Sequence, residues 1–259
     1  MGILESVKKG FSVAASSLPV ALVLFIFGFI FSLINIALLP QTQASNASPS
    51  PAMIAAGLVF VLVTVFMQAG SMGYVREKIK QGNVTFSSFL SMGSKYYVKI
   101  LCLSLVIALI IGAFVLVAAL VVAVLGQKMQ YLAMGIAIVI AAIGIYVLIL
   151  LFFAPYIAIN EEKGVTASLK ESVRVVRANI LKVVLLALLL IAIGFLVGVL
   201  IGFAVGLISR SMPGDSSKIL FAFFSSLVNA FLGLFVTSSF MGFYLGSSSP
   251  SPSGTAQQP

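Results

Sequence analysis

Hydrophobic residues in this chain are gathered into six long stretches, and none of the six has Lys, Arg, Asp or Glu in its central part. A helix that crosses the hydrocarbon core of a bilayer needs about 20 apolar residues. The pattern therefore predicts an all-α fold with six membrane-spanning helices, at about 18–39, 52–75, 100–125, 132–158, 180–208 and 219–245. We expect a multi-pass protein of a cell membrane.

Composition agrees with this class. Hydrophobic residues make up 61% of the 259 residues and charged residues only 8%, whereas soluble domains are about 25% charged. A folded chain of this size still exposes much of its surface. The solvent for that surface is therefore expected to be lipid. The basic residues are not interleaved with exposed aromatic residues, so we expect no nucleic-acid partner.

The residue types that most chemistry needs are scarce. The chain has no histidine and one cysteine, Cys102, which lies inside an apolar stretch. These counts exclude a histidine general base, a His-ligated metal and an intrachain disulfide. We expect no enzymatic activity, no catalytic residue, no cofactor and no metal site. The adjacent carboxylates Glu161 and Glu162 are interpreted as solvated side chains of a connector.

Basic residues are concentrated in alternate segments, which indicates orientation because cytoplasmic loops are rich in Lys and Arg. One side carries Lys8, Lys9, Arg76, Lys78, Lys80, Lys95, Lys99, Lys163, Lys170, Arg174, Arg177 and Lys182. The other side carries Lys128, Arg210 and Lys218. Both termini are therefore predicted to be cytoplasmic, and an even number of spans agrees because it puts the two termini on the same side. The sequon at Asn46 would then face the opposite side.

Short polar matches predict an internal repeat. Glu5-Ser6-Val7-Lys8 before the first span matches Glu171-Ser172-Val173-Arg174 before the fifth, and residues 82–85 parallel residues 163–166. The implied unit is a cytoplasmic interfacial helix followed by a transmembrane hairpin, used three times over about 1–75, 76–158 and 159–246. The Ser/Pro-rich segment 247–259 is predicted to be a disordered tail.

The clearest interfacial helix is predicted at 168–182, where Ser168 and Glu171 have the spacing of a capping box. Its basic residues lie on a different face from its apolar residues. We expect anionic lipid of the cytoplasmic face to contact five cations, Lys170, Arg174 and Arg177 here and Lys78 and Lys80 in the second connection. The alternative is an ordinary elbow helix that only sets topology. A short interfacial helix is also predicted after residue 85, with Tyr96 and Tyr97 at headgroup depth.

Two features lie within the predicted membrane spans. Glycines at four-residue spacing, Gly194, Gly198, Gly202 and Gly206, predict close helix packing within or between protomers. The alternative is a groove that admits a lipid tail. Gln68 and Asn229 are the deepest polar residues, and we expect them to face other helices, either for interhelical hydrogen bonds or along a transport path.

The region around the fourth and fifth spans resembles a known group of membrane proteins. Phe153-Ala154-Pro155-Tyr156, where Pro155 is expected to end or kink the span, is followed by a short acidic turn. Ala167-Ser168-Leu169-Lys170-Glu171-Ser172 and a basic helix come next. This order resembles the six-span proteins related to the glycerophosphoryl diester phosphodiesterase membrane domain, including the bacterial UPF0259 (YciC-like) proteins. The resemblance implies a prokaryotic integral membrane protein and transfers no functional residues, since the hydrolase of such proteins is a separate domain.

Two functions are consistent with these observations. The first is a scaffold or accessory protein in membrane or lipid organisation, with membrane lipids and a homo-oligomer or membrane protein as partners. The alternative is a transporter or channel for a small or lipid-like substrate. The two differ in one structural expectation, because a transporter needs a cavity that reaches Gln68 or Asn229 and a scaffold needs none.

Overall fold

The computed structural model describes residues 2–38, 51–82, 84–126, 129–210, 212 and 214–248. Within these residues the chain forms eight α-helices and no strand, which confirms the all-α class. The helices are α1 (Ile3–Ala15), α2 (Leu18–Leu38), α3 (Pro51–Gln81), α4 (Phe86–Leu125), α5 (Gln130–Leu151), α6 (Ala154–Asn160), α7 (Val165–Ser209) and α8 (Gly214–Ser248).

Six helical segments are long and apolar enough to cross a membrane: Leu18–Ala37, Met53–Gln81, Phe86–Leu125, Gln130–Asn160, Val165–Ser209 and Ser216–Ser247. They coincide with the six predicted stretches, and the chain is a multi-pass membrane protein. The three-hairpin repeat and the orientation stay predictions. Asn46, Lys128 and most of the predicted tail lie outside the described residues, although Ser247 and Ser248 belong to α8 and not to a disordered segment.

The third span is longer than predicted. The predicted short interfacial helix after residue 85 is the first part of α4, which runs without a break from Phe86 to Leu125. No proline lies between these residues, and an isolated glycine such as Gly93 costs a helix only about 1 kcal/mol. The helix therefore continues through the basic residues that the sequence pattern had treated as a connection.

The fifth span also continues the segment before it. α7 begins at Val165, three residues ahead of Ser168, so the predicted capping box with Ser168 as its N-cap is wrong. Ser168 is buried inside the helix, and its hydroxyl donates to the carbonyl of Lys163 at 3.5 Å. Asn179 has non-helical dihedrals (φ −131, ψ 23), which bends the helix where the basic segment was predicted to turn into the span.

The described helices fall into two compact units. The first contains Met1–Ser94 with Val184–Pro259, and the second contains Lys95–Val183. In the first unit α8 is the common partner of α1, α2 and α3. The closest approach is at Gly10 of α1, where an added methyl group would lie 2.8 Å from the Cα atom of Ser239. Glycine is therefore what lets α1 pack directly on the backbone of α8.

α2 lies along α8 in the same unit. The ring of Phe223 packs edge-to-face against Phe25 and Phe29, with ring centroids 5.1 and 5.6 Å apart. Farther along α2, the hydroxyls of Ser32 and Ser226 are 3.4 Å apart. Small residues at this second point bring the two helices close together, whereas aromatic rings separate them at the first.

In the second unit the fourth span is interrupted. α5 ends at Leu151 and α6 begins at Ala154, with Pro155 in the first turn of α6. Proline has no N–H and its ring displaces the residues before it, so a helix is disrupted just ahead of it. The prediction that Pro155 ends or kinks this span is confirmed.

Candidate membrane cavities

A cavity of about 460 Å³ lies between α2, α3 and α8 in the first unit, and we call it the central cavity. Three phenylalanines form one wall. The ring of Phe60 from α3 stacks on Phe31 and Phe27 of α2, with centroid distances of 3.5 and 5.5 Å. This wall is suited to an apolar part of a bound molecule, such as an acyl chain.

The central cavity also has polar groups in its lining. Its lining includes Thr64, Gln68 and Ser71 of α3 and Asn229 and Thr237 of α8. Residues three and four apart share a face of a helix, so each set projects together. Gln68 and Asn229 are both exposed and both line the cavity, whereas the sequence pattern predicted that they would be covered by other helices.

Ser71 is the polar group of this cavity that sequence reasoning missed. It is only 6% exposed, and its hydroxyl has no hydrogen-bond partner among the described residues. Leaving such a group unpaired costs about 1–3 kcal/mol. The spacing of Thr64, Gln68 and Ser71 along one helix face was the available signal. A polar atom of a bound molecule would satisfy this hydroxyl.

A second cavity, of about 580 Å³, lies where α2 and α7 end and α8 begins, and we call it the end cavity. Its lining consists mainly of small and polar residues: Ser32, Asn35, Gly202, Gly206, Ser209, Ser217, Lys218, Ala222 and Ser225, with Ile36, Val205 and Phe221. Among these described residues there is one cation and no carboxylate. The end cavity is therefore electrostatically suited to an anionic group.

The glycines of α7 do not pack as tightly as predicted within the described chain. A methyl group added at Gly194 would lie 3.9 Å from a methyl of Leu232, and one added at Gly198, Gly202 or Gly206 would meet no atom within 4 Å. Gly202 and Gly206 instead line the end cavity. Packing of this face between protomers stays a prediction.

One face of α8 connects the two cavities. Lys218, Ala222 and Ser225 line the end cavity, and Asn229, Gly233 and Thr237 line the central cavity. We call these six residues the cavity face of α8; they recur every three or four positions and therefore share one side of the helix. Nineteen residues separate the first from the last, a length of about 28 Å at 1.5 Å per residue. That length is close to the roughly 30 Å thickness of a bilayer hydrocarbon core.

The cations predicted to contact anionic lipid have different surroundings. In the second unit Lys170, Arg174 and Arg177 are exposed, and Arg174 is paired with Glu171 at 2.5 Å. In the first unit Lys80 is exposed, but Lys78 donates to the carbonyl of Ser16 and lies 5.5 Å from the centroid of the Tyr74 ring. The ammonium group of Lys78 thus already interacts with groups of the chain itself.

The carboxylates that were predicted to be solvated, Glu161 and Glu162, are exposed and also accept hydrogen bonds. Glu162 accepts hydrogen bonds from Lys95 at 2.7 Å and from the hydroxyl of Tyr96 at 2.9 Å. Tyr96 is 1% exposed, so its ring is covered by other parts of the chain, and its position at headgroup depth stays a prediction. Glu161 accepts a hydrogen bond from Lys163, which raises the pKa of the Lys163 ammonium.

No group of three or more metal-binding side chains occurs among the residues that the structure describes.

The second unit has a cavity of its own between α4 and α5, of about 220 Å³. All of its lining residues are apolar: Ile110, Ile111, Phe114, Val115, Ala118, Ala141, Gly144, Ile145 and Leu148. It offers no polar group that could orient a ligand. The two cavities of the first unit are therefore the candidate site.

Comparison with known proteins identifies a family. The model of a family described as a domain of unknown function (DUF7847) matches residues 1–246, which include all six apolar helical segments apart from the last residue of the sixth. No curated protein and no solved structure matches the chain. The match does not connect the chain with the glycerophosphoryl diester phosphodiesterase membrane domain or the UPF0259 proteins, and that resemblance stays a prediction.

Proposed function

We propose, from the premise that the chain belongs to the DUF7847 family, that it is a membrane carrier for a lipid-like molecule, which it holds in the central cavity. The observation that carries the proposal is the presence of both Gln68 and Asn229 in the lining of that cavity. A scaffold does not require such a cavity, whereas a carrier does. The cavity lies within helices that can span a membrane, so the molecules that reach it most readily are those dissolved in the bilayer.

The two walls of the central cavity support an amphipathic ligand. Phe27, Phe31 and Phe60 offer stacked rings to an apolar chain, and Gln68 and Asn229 offer amides to a polar group. A wholly apolar ligand would leave the buried Ser71 hydroxyl without a partner and would form no hydrogen bond with either amide. A small polar solute would gain nothing from the aromatic wall. A lipid-like molecule matches both.

The proposed role is non-enzymatic, and it includes a defined orientation in the membrane. We place the chain in a cell membrane with both termini in the cytoplasm, as the distribution of basic residues indicates. Lys80, Lys170 and Arg177 are exposed and would meet anionic lipid on that face. Each such cation near an anionic surface contributes about 1 kcal/mol of attraction.

The test fills the cavity without disturbing the fold. A methyl group added at Gly233, which lines the central cavity, would meet no atom within 4 Å, and the larger side chain of Gly233→Leu is expected to extend into ligand space. Gly112→Leu is the matched control, because Gly112 is exposed on α4 and equally unobstructed. Lipids that copurify after mild detergent extraction would be quantified by mass spectrometry for the unchanged chain and both variants.

The expected result is a lipid that copurifies with the unchanged chain and with Gly112→Leu, and that is lost about tenfold from Gly233→Leu, as when a ligand and a side chain compete for one volume. Equal lipid in all three proteins would contradict the proposal. So would a water-soluble metabolite, without acyl chains, as the only molecule displaced by Gly233→Leu.

A scaffold or accessory role is the second candidate, and one observation favours it. Gly198 lies on an exposed face of α7 with no atom within 4 Å of its missing side chain. Such a face is suited to a second transmembrane helix, from another copy or from a partner protein. This role is compatible with lipid binding in the central cavity, which lies among other helices.

A further inference from the structure

The central and end cavities share one lining residue, Ser32. The hydroxyl of Ser32 is 3.4 Å from that of Ser226, which lines the central cavity. Gly28 lies one turn earlier on α2, and a methyl group there would be 3.6 Å from the Cβ atom of Ser226. At the residue that both cavities share, α2 and α8 thus meet through two hydroxymethyl groups and a glycine, which are small.

The polar lining continues on both sides of this contact. Ser225 and Lys218 of α8 lie on the side of the end cavity, and Asn229 and Thr237 lie on the side of the central cavity. The cavity face of α8 extends about 28 Å, nearly the thickness of the hydrocarbon core. A polar group that moved along this face would meet four hydrogen-bonding side chains, those of Lys218, Ser225, Asn229 and Thr237.

We propose that this face conducts the phosphodiester headgroup of a membrane lipid from one leaflet to the other, with the Ser32–Ser226 contact as its constriction. The inference rests on the proposed lipid-binding function and adds movement across the bilayer to it. The acyl chains remain in the surrounding lipid or against the Phe27, Phe31 and Phe60 wall. The passage requires no energy source, because it lets a lipid equilibrate in both directions.

The chemistry of the lining selects the headgroup. Hydroxyl and amide groups donate hydrogen bonds to phosphate oxygens, and Lys218 adds a positive charge in the end cavity. The described linings of both cavities contain no carboxylate that would repel a phosphate. Moving a charged headgroup through bare hydrocarbon is very costly, and hydrogen-bonding side chains spaced along the face lower that cost.

The constriction can be closed and reopened in one sample. Ser32→Cys with Ser226→Cys, made in a Cys102→Ser background, places two thiols at the contact and removes the exposed native thiol. Both the unchanged chain and this variant would be reconstituted in vesicles that contain phosphatidylglycerol labelled with a fluorophore. An impermeant reagent that bleaches the fluorophore without reducing disulfides reports how fast the inner-leaflet lipid reaches the outer leaflet.

We expect rapid bleaching of the inner-leaflet lipid with the unchanged chain. The oxidised variant is expected to be slower by about tenfold or more. Reduction of the disulfide in the same vesicles is expected to restore the rate, which excludes misfolding as the cause of the loss. Leu227→Phe is the matched control, since Leu227 is exposed and adjoins Ser226 but lines neither cavity, and it should leave the rate unchanged.

Several outcomes would overturn the inference. Bleaching no faster than in protein-free vesicles excludes passage, and if lipid still copurifies with the chain, the proposed binding function survives that result. If the inner-leaflet lipid is bleached as fast with the oxidised variant as with the reduced one, the Ser32–Ser226 contact is not the constriction. Inhibition by an excess of water-soluble glycerol phosphate would indicate that the path takes free phosphate compounds and not lipids. If no lipid copurified with the unchanged chain, the proposed lipid-binding function itself would be contradicted.

Discussion

The hydroxyl of Ser172 replaces the helix hydrogen bonds that are lost at Phe153. It accepts a hydrogen bond from the Phe153 N–H at 3.1 Å and donates one to the carbonyl of Leu150 at 2.7 Å. Ser172 lies in α7, whereas Phe153 lies in the break between α5 and α6 that precedes Pro155. One buried side chain thus satisfies a donor and an acceptor that proline leaves without their usual partners.

Removal of this hydroxyl should destabilise the second unit. Ser172→Ala leaves a buried N–H and a buried carbonyl unpaired, which should lower the free energy of unfolding by about 1–3 kcal/mol. Thermal unfolding in detergent would measure the change. Ser168→Ala is the control, because Ser168 is equally buried but its hydroxyl bond, to Lys163, is long at 3.5 Å. Equal midpoints for the two variants would contradict the bridging role of Ser172.

The contact between α1 and α8 makes Gly10 sensitive to any side chain. A methyl group at position 10 would lie 2.8 Å from backbone atoms of Ser239, which cannot rotate away as a side chain could. Gly10→Ala should therefore lower stability by about 1–3 kcal/mol. Gly57→Ala should be neutral or stabilising, since Gly57 has no atom within 4 Å and alanine is the better helix former. Detergent unfolding of both variants decides the point, and a tolerated Gly10→Ala would argue against this packing.

The exposed glycine face of α7 predicts association between copies. A methyl group added at Gly198 would meet no atom within 4 Å in one chain, and Gly198 is exposed, so Gly198→Leu should leave folding unchanged. It should reduce cross-linked dimers in the membrane if a second helix packs on that face. Chemical cross-linking before and after the substitution measures this. Dimers that persist unchanged would assign the association to another surface.

The orientation can be tested with single cysteines. Cysteines at Ser48 and Ser87, each in a Cys102→Ser background, should react with an impermeant thiol reagent from opposite sides of the membrane. The distribution of basic residues predicts Ser87 on the cytoplasmic side and Ser48 on the other. Ser87 is exposed at the start of α4 and is therefore accessible to the reagent. Labelling of both sites from one side would contradict the predicted topology.

The sequence predicted the spans because lipid imposes a strong constraint on them. A membrane helix must be apolar over about 20 residues, and such a stretch is visible without any knowledge of its neighbours. The sequence was less informative about the boundaries of the helices. Nothing in the local pattern distinguishes a helix that ends at a membrane surface from one that continues beyond it. The uninterrupted helix from Phe86 and the early start of α7 at Val165 are of this kind.

The candidate site was only partly predictable for a different reason. Gln68 and Asn229 were visible as polar residues in apolar stretches, but their common cavity depends on how α2, α3 and α8 pack. Ser32 and Ser71 are short side chains that a hydropathy pattern hardly registers. The importance of Ser32 comes from its distance to Ser226, which is 194 positions away in the sequence. No local motif contains such information.

The position of α8 as a shared partner has a consequence for biosynthesis. α8 follows the other seven described helices in the chain, yet α1, α2 and α3 all pack against it. The ribosome therefore delivers three helices to the membrane well before the surface that they need has been translated. Until then they depend on lipid or on the insertion machinery to cover their contact faces. A nascent chain that stalls before residue 214 should for this reason be recognised by quality-control proteases, however apolar its completed spans are.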